Sequence, residues 1–382
     1  GPTLLSWMER HDPDVYHAIL DADKKSFEYF SGHGAALAQA YNHMILPLAN
    51  SRDKRTQILW GIRDFEHRLR RKPEGMWLPE TAVDLETLDI MAEHGILFTL
   101  LAPRQASRVR RIGEEGWQDV SGERIDPGMP YLCRLPSGRT ISLFFSDGPI
   151  SKDTAFGGLL DSGENLAGRL LGAFPESDDS PRLVHIATDG ETYGHHHRFG
   201  DMALAWCLHH LEANKLAAIT VYGQYLELHP PQHEVEVFEN SSWSCVHGIE
   251  CWRNDCGCCS GAHPGWHQKW RAPLRGAMDW LRDNLRQVYV DHLSPLVKDP
   301  WQARDEYIEV LLDRSRQDAE AFLLRHAGRE LTTAEKTKAL KLLEMQRCSM
   351  LMYTSCGWFS DEISGVENVQ ILCYAARAMQ LA

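Results

Sequence analysis

Apolar positions along this chain fall into two patterns. Short, predominantly apolar runs at Ile96–Ala102, Ile141–Phe145 and Leu183–Ala187, with a further one at Ala217–Tyr222, predict buried strands. Stretches with apolar residues every three or four positions predict helices. Ile58, Ile62, Phe65 and Leu69 mark one, capped by Ser51 or Asp53. Asp84 caps a second, LETLDIMAEH, which stops at Gly95. Asp201 precedes a third, with Met202, Ala205, Leu208 and Glu212 in period. Near the N-terminus, Asp12-Pro13 separates two short helical pieces.

Strand, carboxylate loop, helix and strand in succession from Gly75 to Ala102 read as a βαβ unit, which implies a parallel sheet. The polar, Gly- and Pro-punctuated stretch 109–138 reads as an excursion from that sheet. From about Tyr225 to Trp266 the sequence is loop-like and rich in Trp and Cys; beyond it the pattern is helical. Trp270, Leu274, Leu281 and Leu285 mark a long helix there. Thr332-x-x-Glu335 is a capping box before another, and Val366–Leu381 is the last. The fold class expected is α/β, an incomplete β/α barrel over residues 1–225 followed by a Cys/Trp-rich loop and an all-helical domain over 226–382.

The chain is organised around Leu183–Phe199, where a buried run empties into Asp189, Glu191, Tyr193, His195, His196 and His197. Acids and imidazoles just past a strand's C-terminal end stand where α/β barrels do chemistry. A second strand end supplies Glu80. Two carboxyl groups astride one bond are what glycoside hydrolysis needs, one ionised to attack and one protonated to release the leaving oxygen. Trp77, three residues before Glu80, and Tyr193, four after Asp189, offer apolar surfaces on which sugar rings stack.

Composition narrows the partners. The 382 residues are 43% hydrophobic and 24% charged, ordinary for a chain with a large core. A net charge of −13 argues against nucleic acid and anionic membrane surfaces. No apolar run approaches the roughly 20 residues of a membrane span. The first residues lack a secretory signal and an initiator Met, which reads as a processed or shortened chain. Ten cysteines, five of them within 245–259, do not resemble a secreted disulfide framework, so a cytoplasmic location is expected.

Five segments together resemble glycoside hydrolase family 57 and follow its order: AQAYNHMILPL, RDKRTQILWGIRDFEHRL, GMWLPETAVD, LFFSDGPISKDTAFGG and HIATDGETYGHHHRF. The resemblance spans about residues 1–225. It implies a (β/α)7-type barrel and a retaining enzyme that hydrolyses or transfers α-glucosidic bonds of oligo- or polysaccharides, with no cofactor required. It places Glu80 as nucleophile and Asp189 as acid/base. Trp77, Glu191 and His195 fall in the same motifs, and His43 and Asp147 are placed by their neighbours. The family's opening His-Gln-Pro motif is absent, so the barrel is expected to lack its first strands. A retaining pair implies carboxyls roughly 5–5.5 Å apart. Two other readings stay open: a metal-dependent carbohydrate deacetylase-like hydrolase with Asp189, His195 and His197 on a divalent ion, and a glycan-binding relative without turnover.

Two further clusters carry candidate chemistry. Cys245, His247, Cys256 and Cys258 have the donor types of a structural zinc site, with Cys251, Cys259, His263 and His267 close by. Reduced thiols packing a Trp-rich loop, or a disulfide, are the alternatives. Trp358 and Asp361, in a break between two helices, are candidates to line a sugar subsite; a buried helix connection is the other reading.

Overall fold

A computed structural model describes residues 2–175, 180–258 and 263–382. Cys259 lies outside the described residues. The chain forms two compact units, one from Gly1–Leu20, Leu37–His94 and Asn240–Ala382, the other from Asp21–Ala36 and Gly95–Glu239. The units are therefore interleaved in sequence and are not divided at residue 225.

The first unit contains strands β1 (Ala38–Gln39) and β2 (Met76–Trp77), paired in parallel with Ala38 opposite Met76 and Gln39 opposite Trp77. The helix Ser51–Leu69 is capped by Asn50, whose side chain accepts from the Asp53 N–H at 2.9 Å; Asp53 instead lies in the first turn. Its buried face carries Trp60, which shares one core with Trp252, Met278, Leu285, Tyr289 and Trp358. That shared core explains why residues 37–94 belong with the C-terminal helices. These helices are Arg271–Leu293, Pro300–Glu306, Ile308–Leu312, Arg316–Ala327, Thr333–Leu351 and Val366–Leu381. The capping box forms as expected: the Thr332 hydroxyl accepts from the Glu335 N–H, and the Glu335 carboxylate accepts from the Thr332 N–H.

The second unit is built on a six-stranded mixed sheet of β3 (Phe98–Leu101), β4 (Ala106–Arg111), β5 (Gln118–Asp119), β6 (Tyr131–Arg134), β7 (Thr140–Phe145) and β8 (His233–Val237). The strand order is β3-β7-β6-β8-β4-β5. β3 runs parallel to β7 and β6 to β8, while β6–β7, β4–β8 and β4–β5 are antiparallel. Phe98–Leu101 is buried throughout, as its predominantly apolar sequence requires. The 109–138 stretch contributes two of these strands, β5 and β6, and the end of β4, and is not a mere excursion. β2 pairs with β1 and β3 with β7, so the expected βαβ unit does not share one ladder.

Three further expectations are corrected. Leu183–Ala187 joins no ladder. It is an irregular segment held by single bonds, Leu183 N–H to Gly128 O at 3.0 Å, Asp147 N–H to His185 O at 3.0 Å and Ala187 N–H to Ser151 Oγ at 3.1 Å. Ala217–Tyr222 forms no strand either, and Tyr222 begins the helix Tyr222–Leu228. The helix after the histidines is Gly200–Ala213, entered from Phe199 in the left-handed region (φ 68°), so Asp201 is inside it. Its buried face is Gly200, Ala203, Cys207 and Leu211, whereas Met202 is 63% and Leu208 41% exposed. The helical period holds, and the buried stripe lies one to two residues N-terminal of the expected one. None of the described helices is long and apolar enough to cross a membrane.

Candidate active site

In the first unit, β2 ends at Trp77, and Leu78-Pro79 leads into a turn in which Glu80 (φ 57°) and Thr81 (φ 50°) both occupy the left-handed region. Non-glycine residues enter that region at a cost of about 1–3 kcal/mol, and a β-branched residue does so rarely. Glu80 is half-buried. Its Oε2 accepts from the Trp243 indole N–H at 3.0 Å and from the Ser244 hydroxyl. Its main-chain carbonyl accepts from the Trp243 N–H at 3.2 Å. Among the described residues no hydrogen bond reaches Oε1, so the carboxylate is fixed by one oxygen and offers the other. Trp77, also half-buried, meets Trp243 edge to face at 5.1 Å between ring centroids. Trp243 and Ser244 drew no functional expectation, because nothing local in SSWSC points to a carboxylate so distant in sequence.

His43, another left-handed residue (φ 53°), shares a hydrogen bond between its Nδ1 and Ser355 Oγ at 2.6 Å. The Ser355 N–H returns to the His43 carbonyl at 2.9 Å, beside a bridge between Met44 and Thr354. Trp358, expected to line a sugar subsite, is 1% exposed and donates its indole N–H to Met352 O at 3.0 Å. It is part of the core and presents no face for stacking. Asp361 accepts from the Gln268 amide at 2.9 Å.

In the second unit, Asp189 is exposed just past the irregular 183–187 segment, and a short 3-10 turn, Gly190–Thr192, follows it. Glu191, His195 and His196 are exposed, and the Glu191 carbonyl accepts from the N–H groups of His195 and His196. His197 is half-buried and donates Nε2–H to Ala155 O at 2.8 Å. The Tyr193 hydroxyl accepts from Thr188 Oγ1 at 3.1 Å. Asp147 caps the helix Gly148–Phe156, accepting from the Ile150 N–H at 2.8 Å. His185 is buried between Tyr222 and Pro127. Pro127 O can only accept, so Nε2 carries the proton, at 3.1 Å, and Nδ1 accepts from the Tyr222 hydroxyl at 3.0 Å. Burial pushes the His185 imidazole down to about 4.

Donor atoms converge for a metal ion at one place among the described residues: those of Cys245, His247, Cys256 and Cys258 all lie within 4.8 Å of one another. Asp189, His195 and His197 do not converge in this way, and His197 spends Nε2 on a carbonyl. Every described cysteine is a free thiol. Burial pushes the Cys251 thiol well above its ordinary range. Cys256 is lowered: burial opposes this, but the Cys258 N–H and the neighbouring thiols favour its thiolate.

The sequence profile of glycosyl hydrolase family 57 matches residues 3–237. The chain belongs to that family. Residues 266–382 match a domain of unknown function, DUF3536. Among solved structures, an exo-type maltose-forming amylase from Pyrococcus sp. ST04 is 18% identical with a TM-score of 0.74, over 100% of this chain and 66% of that one. A family 57-type branching enzyme from Pyrococcus horikoshii is 16% identical (TM-score 0.59, over 99% of this chain and 69% of the enzyme). A 4-α-glucanotransferase from Thermococcus litoralis is 14% identical (TM-score 0.59, over 100% of this chain and 52% of the transferase). This family 57 chain thus spans about half to two thirds of the length of these proteins, and at such identities the likeness is one of fold. No curated protein sequence matches it.

Proposed function

We propose that this family 57 chain carries the catalytic machinery of a retaining enzyme acting on α-glucosidic bonds, by hydrolysis or transfer, with Glu80 as nucleophile and Asp189 as acid/base. The observation that carries the reading is the Glu80 carboxylate, with Oε2 held by Trp243 and Ser244, Oε1 unengaged and the backbone left-handed. A nucleophile held in one orientation needs little reorganisation to attack. In the first step Glu80 Oε1 bonds to the anomeric carbon while the Asp189 carboxyl protonates the departing oxygen. In the second, Asp189 takes a proton from water or a sugar hydroxyl, and that oxygen displaces Glu80. Trp77 and Tyr193 supply stacking surfaces, and His43, Glu191 and His195 bind sugar hydroxyls.

The names of the solved relatives, an amylase, a branching enzyme and a glucanotransferase, support α-glucan as the substrate class. A (β/α)7-type barrel is part of the proposal, supported by the parallel pairs β1–β2 and β3–β7. So is a cytoplasmic location, supported by the free thiols. Kinetics of the full chain, Glu80→Gln and Asp189→Asn on α-glucans test the reading. Each substitution is expected to lower turnover roughly 10²–10⁴-fold or more. A fluorinated α-glucosyl fluoride is expected to leave a covalent adduct on the Glu80 peptide. Unchanged turnover in Glu80→Gln, or an adduct elsewhere, overturns the assignment.

A further inference from the structure

The segment that grips Glu80 runs directly into the cysteine cluster, all within the first unit. Cys245 Sγ lies 3.8 Å from Cys258 Sγ and 3.8 Å from His247 Nδ1, and Cys258 Sγ lies 3.4 Å from His247 Nδ1. A zinc tetrahedron with Zn–S about 2.3 Å and Zn–N about 2.0 Å has S···S edges of about 3.8 Å and S···N edges of about 3.5 Å. The sulfur–sulfur edge has that length, and the two sulfur–nitrogen edges bracket theirs at 3.4 and 3.8 Å. The donor atom of Cys256 lies within 4.8 Å of the other three. A disulfide requires sulfurs about 2.05 Å apart, and it leaves the imidazole without a role.

The backbone is shaped for this convergence. Gly257, between Cys256 and Cys258, sits at φ 78° and Gly248, next to His247, at φ 77°. The Gly257 turn lies between two donors, and the Gly248 turn redirects the chain directly after the Cys245–His247 pair. A Cβ on Gly248 would stand 2.2 Å from the Asn240 carbonyl oxygen, so the loop closes too tightly there for any side chain. The His247 N–H donates to Cys245 Sγ at 3.4 Å, the kind of amide–sulfur bond that steadies a metal-bound thiolate.

Charge supplies an independent argument. Arg271 is 0% exposed, and its Nη1 lies 3.7 Å from Cys256 Sγ. Its other acceptors are the main-chain carbonyls of Asn254, Phe359 and Ser360. A buried guanidinium needs an anion beside it. Three thiolates and a neutral imidazole on a divalent cation carry one net negative charge, which Arg271 balances. With four neutral groups, its described hydrogen-bond partners would all be uncharged.

We propose that Cys245, His247, Cys256 and Cys258 bind one zinc ion in a closed, four-coordinate structural site. Cys251, whose Sγ is 3.3 Å from that of Cys256, then donates its S–H to the Cys256 thiolate and is not a ligand. Residues 243 and 244 hold Glu80 and residue 245 holds the ion, so the metal fixes the loop that orients the carboxylate. This last consequence rests on the function proposed above; the metal site does not.

Elemental analysis of the full chain, purified without chelator, is expected to give one zinc per chain. Cys245→Ser, Cys258→Ser and His247→Ala should lower that content to near none, whereas Cys251→Ser should retain it. Because a ligand variant is liable to misfold, the wild-type chain is also stripped and reloaded with cobalt. Thiolate-to-cobalt charge-transfer bands and a tetrahedral ligand-field spectrum, saturating at one equivalent, are expected. A metal-free chain that takes up neither ion, a Cys251–Cys256 disulfide by mass spectrometry, or an iron–sulfur chromophore overturns the site. One bound zinc in a chain without glucan turnover supports the site and counts against the function alone.

Discussion

The indole N–H of Trp243 donates to Glu80 Oε2 at 3.0 Å, joining two residues 163 positions apart. The Ser244 hydroxyl reaches the same oxygen, and the Trp243 N–H reaches the Glu80 carbonyl. Together these bonds hold a glutamate whose backbone is in a disfavoured region. Strained residues persist where their surroundings over-determine them, and such places are often functional.

Trp243→Phe keeps the ring beside Trp77 and removes the donor to Glu80. A hydrogen bond to a charged group is worth about 1.5–3 kcal/mol, so kcat/KM on an α-glucan should fall about 10–100-fold. Most of the loss is expected in kcat, since the bond orients the reacting group and does not touch the sugar. Steady-state kinetics alongside circular dichroism make the test. An unchanged kcat in a folded variant removes the positioning role.

Gly61→Ala sets two effects against each other. Helix propensity favours alanine by about 1 kcal/mol. Yet a Cβ at Gly61 would lie 1.8 Å from the Gln39 carbonyl oxygen and 2.9 Å from its carbon, which are backbone atoms of β1 with no rotamer to yield. Overpacking of this severity costs about 3 kcal/mol or more, so the clash wins. Gln39 is in register with Trp77, and the displacement should reach the strand that leads into the Glu80 turn. A lower urea midpoint and altered near-ultraviolet dichroism are expected. A variant as stable as the wild type refutes the close approach.

Local signals were readable in the sequence, and distant ones were not. The Asp84 cap, the Thr332–Glu335 box and the runs at 98–101 and 141–145 depend on neighbours a few residues away, and they form where expected. β8 reads HEVEV and passed for loop because a strand core seldom buries a glutamate. Glu234 is 3% exposed, but Arg110 and Arg134 meet it from the adjacent strands. Leu183–Ala187 has a strand's composition, and its backbone groups find single partners in place of a ladder. Glu80 and Asp189 are proposed from their motifs. The groups holding Glu80 were not found, since loop residues carry no periodicity to place them.

Arg304 and Asp53 test how the C-terminal helices are tied to the helix Ser51–Leu69. Their side chains are 3% and 7% exposed and meet at 2.8 Å, and Arg304 also donates to Gln346, Thr56 Oγ1 and the Arg52 carbonyl. Arg304→Met leaves Asp53 buried without its cation, which should cost about 3–5 kcal/mol. Adding Asp53→Asn should recover part of that loss, because the uncompensated charge is then gone. Chemical denaturation of the single and double variants reads the coupling. Strictly additive losses contradict a direct pair.

His185 gives the second unit a pH dependence whose sign can be worked out. Its pKa is held down to about 4 in the folded chain by burial, against about 6.5 for an unfolded histidine. Between those values the unfolded chain binds more protons, so stability rises with pH there. The contribution is fully present above about pH 6.5 and is lost as pH falls toward 4, on the order of 3 kcal/mol in all. Protonation also turns Nδ1 into a donor facing the Tyr222 hydroxyl, which must then reverse its own bond. His185→Gln removes the titration, so the difference in urea midpoint between wild type and variant should shrink or invert as pH drops through that window. Hydrogen exchange of the 183–189 backbone should quicken over the same range in the wild type alone. The His185 carbonyl holds the Asp147 N–H, and Asp189 follows four residues later, so the loosening reaches the proposed acid/base. Parallel pH profiles for the two proteins would show that the imidazole is already protonated in the folded chain.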